Sequence, residues 1–236
     1  MRLITAAGLL VGLFLTAAAT SAERSLGKRP MVDQPPTVLD PVGIDDLNLG
    51  VGPQSIRPLL PGFNAPRVAV TGITGNQLAI DPQRRDRPFV ITFFRGGWCP
   101  YCQTQFMELQ KIEDSLASLG YDIFFVSPDR PELLSFGDPG PDAPYAVYSD
   151  PTLAAAKAYG VAYQVPESTL ERHFRGGAFL REFSGEDHGL LPVPATFVVS
   201  ADGEILFQYA NPDHTKRVDG QLLLSAARTF VEESGP

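Results

Sequence analysis

The chain has 236 residues, of which 44% are hydrophobic and 19% are charged, and its formal net charge is −8. This composition is typical of a globular protein of one or two domains and excludes wholesale disorder. An acidic chain without a basic stripe is a poor partner for phosphate backbones, so we do not expect nucleic-acid binding.

The first 22 residues have the pattern of a secretory signal peptide. Met1-Arg2 is followed by twenty uncharged residues, Leu3 to Ala22, which are most apolar from Ala6 to Leu15 and end in small side chains. A basic start, an apolar centre and a small-residue exit are typical of segments that are cleaved on export. We therefore expect a periplasmic or secreted protein without stable membrane association after cleavage. The alternative is an uncleaved anchor, because twenty uncharged residues can span a bilayer.

Mass spectrometry of the protein from its native host tests this prediction. The mature chain should begin after Ala22, with Ala19 as the second candidate cleavage position. An intact Met1 on a soluble cytoplasmic protein would contradict export.

Residues 23–58 contain six prolines and few periodic apolar positions. Such a segment is typical of an extended connection rather than of a folded domain. We therefore predict a proline-rich lead-in at residues 23–58 and a single folded domain at residues 59–236.

Within residues 59–236, β-forming runs alternate with helical periodicity. Strands are predicted at 89–94, 121–126, 146–148, 196–199 and 205–209, and helices at 99–119, 131–136, 150–159, 168–174 and 218–231. The last two strands flank Asp202-Gly203, a strong hairpin signal. Alternation followed by an antiparallel pair predicts an α/β protein with a mixed central sheet and helices on both faces. This is the pattern of a thioredoxin-like fold.

Both cysteines of the chain lie in Trp98-Cys99-Pro100-Tyr101-Cys102, where the first predicted strand leads into a helix. Cys99 falls at the helix N-terminus, where free N–H groups and the helix dipole favour a thiolate. Proline is tolerated in the first helical turn. Cys102 follows one turn later, so the pair is predicted to cycle between dithiol and disulfide, with Cys99 attacking and Cys102 resolving.

Three other interpretations of the cysteines are weaker. A metal site needs further ligands, and the three histidines, His173, His188 and His214, are scattered singly. Attachment of a c-type haem needs histidine where the chain has Gln103. A static disulfide over two residues closes a very small loop and adds little stability. We therefore expect redox chemistry without a metal or other cofactor.

The segment Phe93-Phe-Arg-Gly-Gly-Trp-Cys-Pro-Tyr-Cys102 resembles the signature of the peroxiredoxin-like branch of the alkyl hydroperoxide reductase/thiol-specific antioxidant family. The similarity spans roughly residues 60 to 230, with further matches at 65–66, 126–129, 148–150 and 193–197. The resemblance implies a thioredoxin-like fold that reduces peroxides or disulfides.

The resemblance also implies roles for four residues. Cys99 matches the peroxidatic cysteine, and Cys102 matches a local resolving cysteine. Pro194 matches a cis-proline that faces the dithiol and turns the backbone of Val193 toward the sulfurs. An external, thioredoxin-like dithiol is the implied reductant.

The chain departs from the family pattern Pro-x-x-x-Thr/Ser-x-x-Cys, because Thr92 and Gly96 stand where proline and the hydroxyl residue are usual. Arg95 is the candidate to supply the positive charge for a bound peroxide. Trp98 is expected to pack beside Cys99 and to contact the substrate. The Cys-Pro-Tyr-Cys sequence itself resembles the dithiol of glutaredoxins.

Three functions therefore remain open from the sequence. The preferred one is an antioxidant thiol peroxidase that reduces peroxides and is regenerated by an external dithiol. The alternatives are a thiol–disulfide oxidoreductase that acts on protein disulfides and a non-enzymatic binding module with a static disulfide. A small enclosed pocket around Cys99 would favour peroxide, whereas an open surface would favour disulfide exchange.

Overall fold

The computed structural model describes residues 49–134 and 143–234. The predicted signal peptide and most of the proline-rich lead-in lie outside these residues. So does the end of the helix predicted at 131–136, of which the structure shows a 3-10 turn at Pro131–Leu133. Within the described part of the chain, no helix combines the length and the apolar character needed to span a bilayer.

The described strands form one large sheet and one small sheet. They are β1 (Val68–Thr71), β2 (Gln77–Ile80), β3 (Phe89–Phe93), β4 (Asp122–Ser127), β5 (Tyr145–Ser149), β6 (Ala162–Gln164), β7 (Leu190–Pro192), β8 (Ala195–Val199) and β9 (Ile205–Ala210). The large sheet has the order β2-β1-β5-β4-β3-β8-β9, and β6 pairs with β7 separately. Strands β3, β4 and β5 are parallel, whereas β8, β9, β1 and β2 join antiparallel at the two sides.

The helices lie between and after these strands. They are α1 (Pro100–Gln110), α2 (Glu113–Ser118), α3 (Ala154–Ala158), α4 (Glu167–Phe174), α5 (Ala178–Ser184) and α6 (Gly220–Ser234). The prediction of a single helix at 99–119 is wrong in one respect, because the helical segment is interrupted between α1 and α2. Leu109, Ile112 and Leu116 still share one buried layer, as their helical spacing predicts.

The two faces of the large sheet bury separate apolar layers. Phe89, Ile91 and Phe93 of β3 pack with residues of α3 on one face. Val90 points to the other face, where α1, α2 and α6 pack. Every residue of β3 is buried, as expected of a strand covered on both sides. The predicted mixed sheet with helices on both faces is therefore confirmed.

The described end of the lead-in runs along β6 and the C-terminus of α3. The backbone N–H of Gly52 donates to the Gln164 carbonyl at 2.9 Å, and that of Arg57 donates to the Gly160 carbonyl at 3.0 Å. Gly160 has φ +71°, and a Cβ there would lie 1.9 Å from the Arg57 carbonyl oxygen. This close approach of two backbones requires glycine.

Candidate active site

The dithiol lies where β3 leads into α1. Cys99 is the N-cap residue of α1, with φ −88° and ψ 115°, and Pro100 begins the helix. The backbone N–H groups of Cys102 and Gln103 donate to the Cys99 carbonyl at 3.0 and 3.1 Å. Both cysteines are free thiols, and their exposed fractions are 1% for Cys99 and 0% for Cys102.

The pKa values of the two thiols are shifted in opposite directions. A hydrogen bond from the Cys102 thiol, aided by the charges of Arg95 and Arg217, lowers the pKa of Cys99 to about 5 against the opposing effect of burial. The same hydrogen bond, together with burial, raises the pKa of Cys102. The pair therefore holds one shared proton, which rests on Cys102 and leaves Cys99 as the nucleophile at neutral pH.

Arg95 brings a buried positive charge to this site. Its side chain is 9% exposed, and its guanidinium carbon lies 5.4 Å from the centroid of the Trp98 ring. Burial raises the pKa of the Tyr163 hydroxyl of β6, and the charge of Arg95 opposes that rise. Among the described residues Arg95 forms no ion pair, and its Nε has no hydrogen-bond partner. The charge therefore remains available to an anion at Cys99.

Trp98 is the centre of an aromatic cluster that closes one side of the site. Its ring lies 5.8 Å from Phe174 of α4, and 5.2 Å and 6.3 Å from Phe179 and Phe183 of α5, measured between centroids. The chain between β6 and β7 thus forms a helical pair that packs against Trp98, the residue before Cys99. No helix is predicted from the sequence between residue 174 and residue 218, so α5 is a difference from the prediction.

Gly96 has no room for a side chain. Its φ is +139°, and a Cβ there would lie 2.2 Å from Trp98 Nε1 and 2.9 Å from Asp129 Oδ1. The usual hydroxyl residue of the family pattern is therefore sterically excluded by the indole and the carboxylate. Thr92 replaces the usual proline because it lies inside β3, between β4 and β8, where proline would remove a ladder hydrogen bond.

Asp129 supports the active-site loop from below. Its Oδ2 accepts hydrogen bonds from the backbone N–H of Gly97 at 2.6 Å and from Ser127 Oγ at 3.0 Å. Its Oδ1 has no partner among the described residues, and burial raises the pKa of Asp129 to about 6. A cavity of about 10 Å³ is lined by Asp129 together with Arg95, Trp98 and residues of α5. This supporting role had no signal in the sequence beyond the family match at 126–129.

The raised pKa of Asp129 predicts a pH-dependent contribution to stability. An unfolded aspartate ionises near pH 3.9, so the folded protein binds more protons between about pH 4 and pH 6. As the pH rises from about 4 to 6, the free energy of unfolding of the native protein, relative to that of Asp129→Asn, should therefore fall. Above about pH 6 the difference should stay constant. We expect a fall of at most about 3 kcal/mol.

Urea unfolding of both proteins at several pH values measures this difference. Asp150, whose pKa burial raises to about 7, titrates in both proteins and cancels in the comparison. A difference in unfolding free energy that does not change between pH 4 and pH 7 would contradict the prediction.

The predicted cis bond at Val193–Pro194 is wrong, because this peptide bond is trans. The Val193 backbone N–H donates to the Val161 carbonyl at 2.8 Å, so it extends the pairing of β6 with β7 rather than turning toward the sulfurs. The Val193 side chain packs in the apolar cluster that also contacts Trp98. A trans bond is the favoured isomer by about 0.5–1 kcal/mol, and this backbone pairing is compatible with it.

A second cation, which the sequence reasoning missed, approaches from the segment between β9 and α6. Arg217 Nη2 donates to Cys102 Sγ at 3.5 Å. In the same segment, the His214 ring lies 5.6 Å from the exposed Tyr101 ring, measured between centroids. In the described part of the chain, no group of three or more His, Cys, Asp or Glu side chains is placed to hold a metal ion.

Comparison with known proteins agrees with this architecture. Residues 61–208 match the sequence profile of the AhpC/TSA family. A Mycobacterium tuberculosis protein named as a peroxiredoxin is 25% identical over 163 residues, which make up 68% of this chain and 90% of that protein.

Solved structures show the same fold. The peroxidoxin BcpB of Mycobacterium tuberculosis has a TM-score of 0.54 at 16% identity, over 75% of this chain and 98% of its own. A peroxiredoxin-like protein of Aquifex aeolicus has a TM-score of 0.53 at 18% identity, over 77% of this chain and 96% of its own. Peroxiredoxin 6 of Arenicola marina has a TM-score of 0.58 at 14% identity, over 75% of each chain.

Proposed function

The chain belongs to the AhpC/TSA family, and on that premise we propose that this thiol peroxidase reduces peroxides through a dithiol–disulfide cycle of Cys99 and Cys102. The preferred substrate is a small peroxide, and the reductant is an external dithiol of the thioredoxin type. In this proposal the protein acts after export, because residues 1–22 have the pattern of a signal peptide.

The cycle has three balanced steps. The Cys99 thiolate attacks one peroxide oxygen, the O–O bond breaks, and the leaving oxygen takes a proton to become water or an alcohol. Cys99 is then a sulfenic acid. The Cys102 sulfur attacks the Cys99 sulfur, the S–O bond breaks, and hydroxide leaves as water after taking up a proton. The external dithiol reduces the Cys99–Cys102 disulfide by exchange and is itself oxidised to a disulfide.

The observation that carries this proposal is a buried Cys99 thiolate that the charges of two arginines stabilise. Cys99 is 1% exposed, and the charges of both Arg95 and Arg217 stabilise its anion. In the reduced protein, a buried sulfur is accessible to a molecule of a few atoms, whereas attack on a protein disulfide needs an open surface. Reduction of the Cys99–Cys102 disulfide by the external dithiol therefore requires that these sulfurs become exposed after oxidation. Fixed positive charge also stabilises the negative charge that develops on the leaving oxygen.

Rapid-quench oxidation of the reduced protein by hydrogen peroxide tests the proposal. We expect Cys99 to be oxidised faster than a free thiol at the same thiolate fraction. Cys99→Ser should abolish this reaction. Cys102→Ser should keep the first oxidation and stop at the sulfenic acid, because the hydroxyl cannot form the disulfide.

The alternative activity is measured with the same enzyme samples. Reduction of a protein disulfide substrate, followed alongside the peroxide reaction, separates the two functions. Oxidation by peroxide no faster than that of a free thiol, together with rapid disulfide reduction, would replace the proposal with thiol–disulfide exchange.

A further inference from the structure

Arg217 is the charged side chain that directly contacts the resolving sulfur. It lies 115 residues after Cys102 in the chain, between β9 and α6, and its Nη2 donates to Cys102 Sγ at 3.5 Å. This distance is a hydrogen bond to sulfur in a site where Cys102 is fully buried. The contact is partly buried and short enough for the guanidinium to act on the charge of that sulfur.

The guanidinium is oriented by its own loop. Its Nη1 donates to the backbone carbonyls of His214 and Lys216. The loop is in turn ordered by Asp213, whose carboxylate accepts hydrogen bonds from the backbone and hydroxyl of Thr215 at 3.0 and 2.8 Å. One edge of the Arg217 fork is thus fixed to the loop and the other edge points at the sulfur.

Arg95 and Arg217 are the charged side chains that act on the pKa of Cys99, whereas the Asp129 carboxylate beside the active-site loop binds the Gly97 backbone N–H. Arg95 precedes α1 and also provides a backbone hydrogen bond to Cys102, and His214 lies over Tyr101. Within the described residues, Arg217 forms no ion pair with a carboxylate. No carboxylate in this part of the chain neutralises the charge that Arg217 brings to the two sulfurs.

The influence of Arg217 on Cys102 changes during the proposed cycle. In the reduced enzyme the Cys99 thiolate accepts a hydrogen bond from the Cys102 thiol, and this hydrogen bond is the largest cause of the raised pKa of Cys102. Oxidation of Cys99 to a sulfenic acid removes that anion, whereas Arg217 stays. The ionisation equilibrium of Cys102 then shifts from the thiol toward the thiolate, which is the form that attacks.

We propose that Arg217 is a catalytic residue of the resolving step, in which its guanidinium fork stabilises Cys102 as the thiolate that attacks the sulfenic sulfur of Cys99. The proposal rests on the peroxide cycle described above. The bond formed is Cys102–Cys99 S–S, the bond broken is the S–O bond of Cys99, and hydroxide leaves with the proton as water.

The test compares Arg217→Gln and Arg217→Lys with Lys216→Gln, a control that removes the neighbouring exposed cation. Sulfenic acid formation and disulfide formation are followed separately after a pulse of hydrogen peroxide, with a sulfenic-selective trapping reagent and thiol mass labelling. For Arg217→Gln we expect disulfide formation to slow tenfold or more and the trapped sulfenic acid to increase. Oxidation of Cys99 should slow by less than threefold. Lys216→Gln should match the native protein in both steps.

Arg217→Lys keeps the charge but cannot hold the loop carbonyls and the sulfur together, so its disulfide formation should fall between the native and Arg217→Gln rates. This variant decides the question if Arg217→Gln does not fold. A native rate of disulfide formation in Arg217→Lys would then overturn the proposal.

A second measurement does not depend on peroxide. In a Cys99→Ser background, the pH dependence of Cys102 alkylation reports its pKa, and Arg217→Gln should move the midpoint upward. An unchanged midpoint and an unchanged rate of disulfide formation would refute the role of Arg217. A shifted midpoint in a protein that does not react with peroxide would refute the peroxide cycle instead, while leaving the contact of Arg217 with Cys102 established.

Discussion

Replacing Cys102 with alanine is expected to raise the pKa of Cys99 and to shift the whole pH–rate profile of peroxide oxidation. The Cys102 thiol provides the largest of the effects that lower the pKa of Cys99 to about 5, and burial would then act against the remaining cations. The rate should depend on the thiolate fraction, so in the native protein it falls as the pH falls through about 5. At pH 6, Cys102→Ala should react roughly tenfold more slowly than the native protein, which corresponds to a rise of about two pKa units.

Cys102→Ser is the matched control, because its hydroxyl still donates a hydrogen bond to Cys99. Its midpoint should stay closer to the native one, although neither variant can form the internal disulfide. Rates of single oxidation by hydrogen peroxide between pH 4 and pH 9 measure all three midpoints. Equal midpoints in the alanine and serine variants would show that the Cys102 hydrogen bond does not set the acidity of Cys99.

Adding a single methyl group at Gly96 is expected to damage both stability and activity. The new Cβ would lie 2.2 Å from Trp98 Nε1 and 2.9 Å from Asp129 Oδ1, at a φ of +139° that side chains rarely adopt. Gly96→Ala should lower the free energy of unfolding by about 2–5 kcal/mol, from backbone strain and crowding together. Because Trp98 adjoins Cys99, the oxidation rate should fall as well.

Gly75→Ala separates crowding from backbone strain. Gly75 also has a positive φ, +82°, but a Cβ there meets nothing within 4 Å. It should cost about 1–2 kcal/mol, the penalty of the left-handed conformation, and leave the oxidation rate unchanged. Chemical unfolding and the peroxide assay on both variants give the comparison. Similar losses in the two variants would mean that the contact with Trp98 and Asp129 does not constrain Gly96.

Much of the fold was predictable from local patterns. The strands at 89–94 and 121–126 are continuous apolar runs, and the hairpin at Asp202-Gly203 carries its own turn signal. The helix α5 was missed because it follows Gly176-Gly177 and carries charges. Phe179, Leu180 and Phe183 do have helical spacing, and they bury one face of α5 only once Trp98 is present to receive them.

The candidate site likewise has a part that the local sequence predicts and a part that only the tertiary fold brings together. The position of the dithiol at a helix N-terminus follows from its neighbours in the sequence, since strand, glycine turn, N-cap and proline are contiguous. Arg217 and Asp129 reach the dithiol through tertiary packing from other elements, and no spacing rule connects them to Cys99. The cis bond at Pro194 was inferred from family resemblance alone, and the pairing of Val193 with Val161 overrides it.

Trp98 is the only tryptophan of the 236 residues, and it adjoins Cys99 in the chain while its ring packs edge-to-face on Phe174 and Phe179. The intrinsic ultraviolet emission of the protein excited at tryptophan wavelengths therefore comes from one indole, beside the reacting sulfur. Any change in charge or bonding at Cys99 alters the electric field at that ring. The intrinsic fluorescence of Trp98 can therefore be used to follow each redox form in real time without a label.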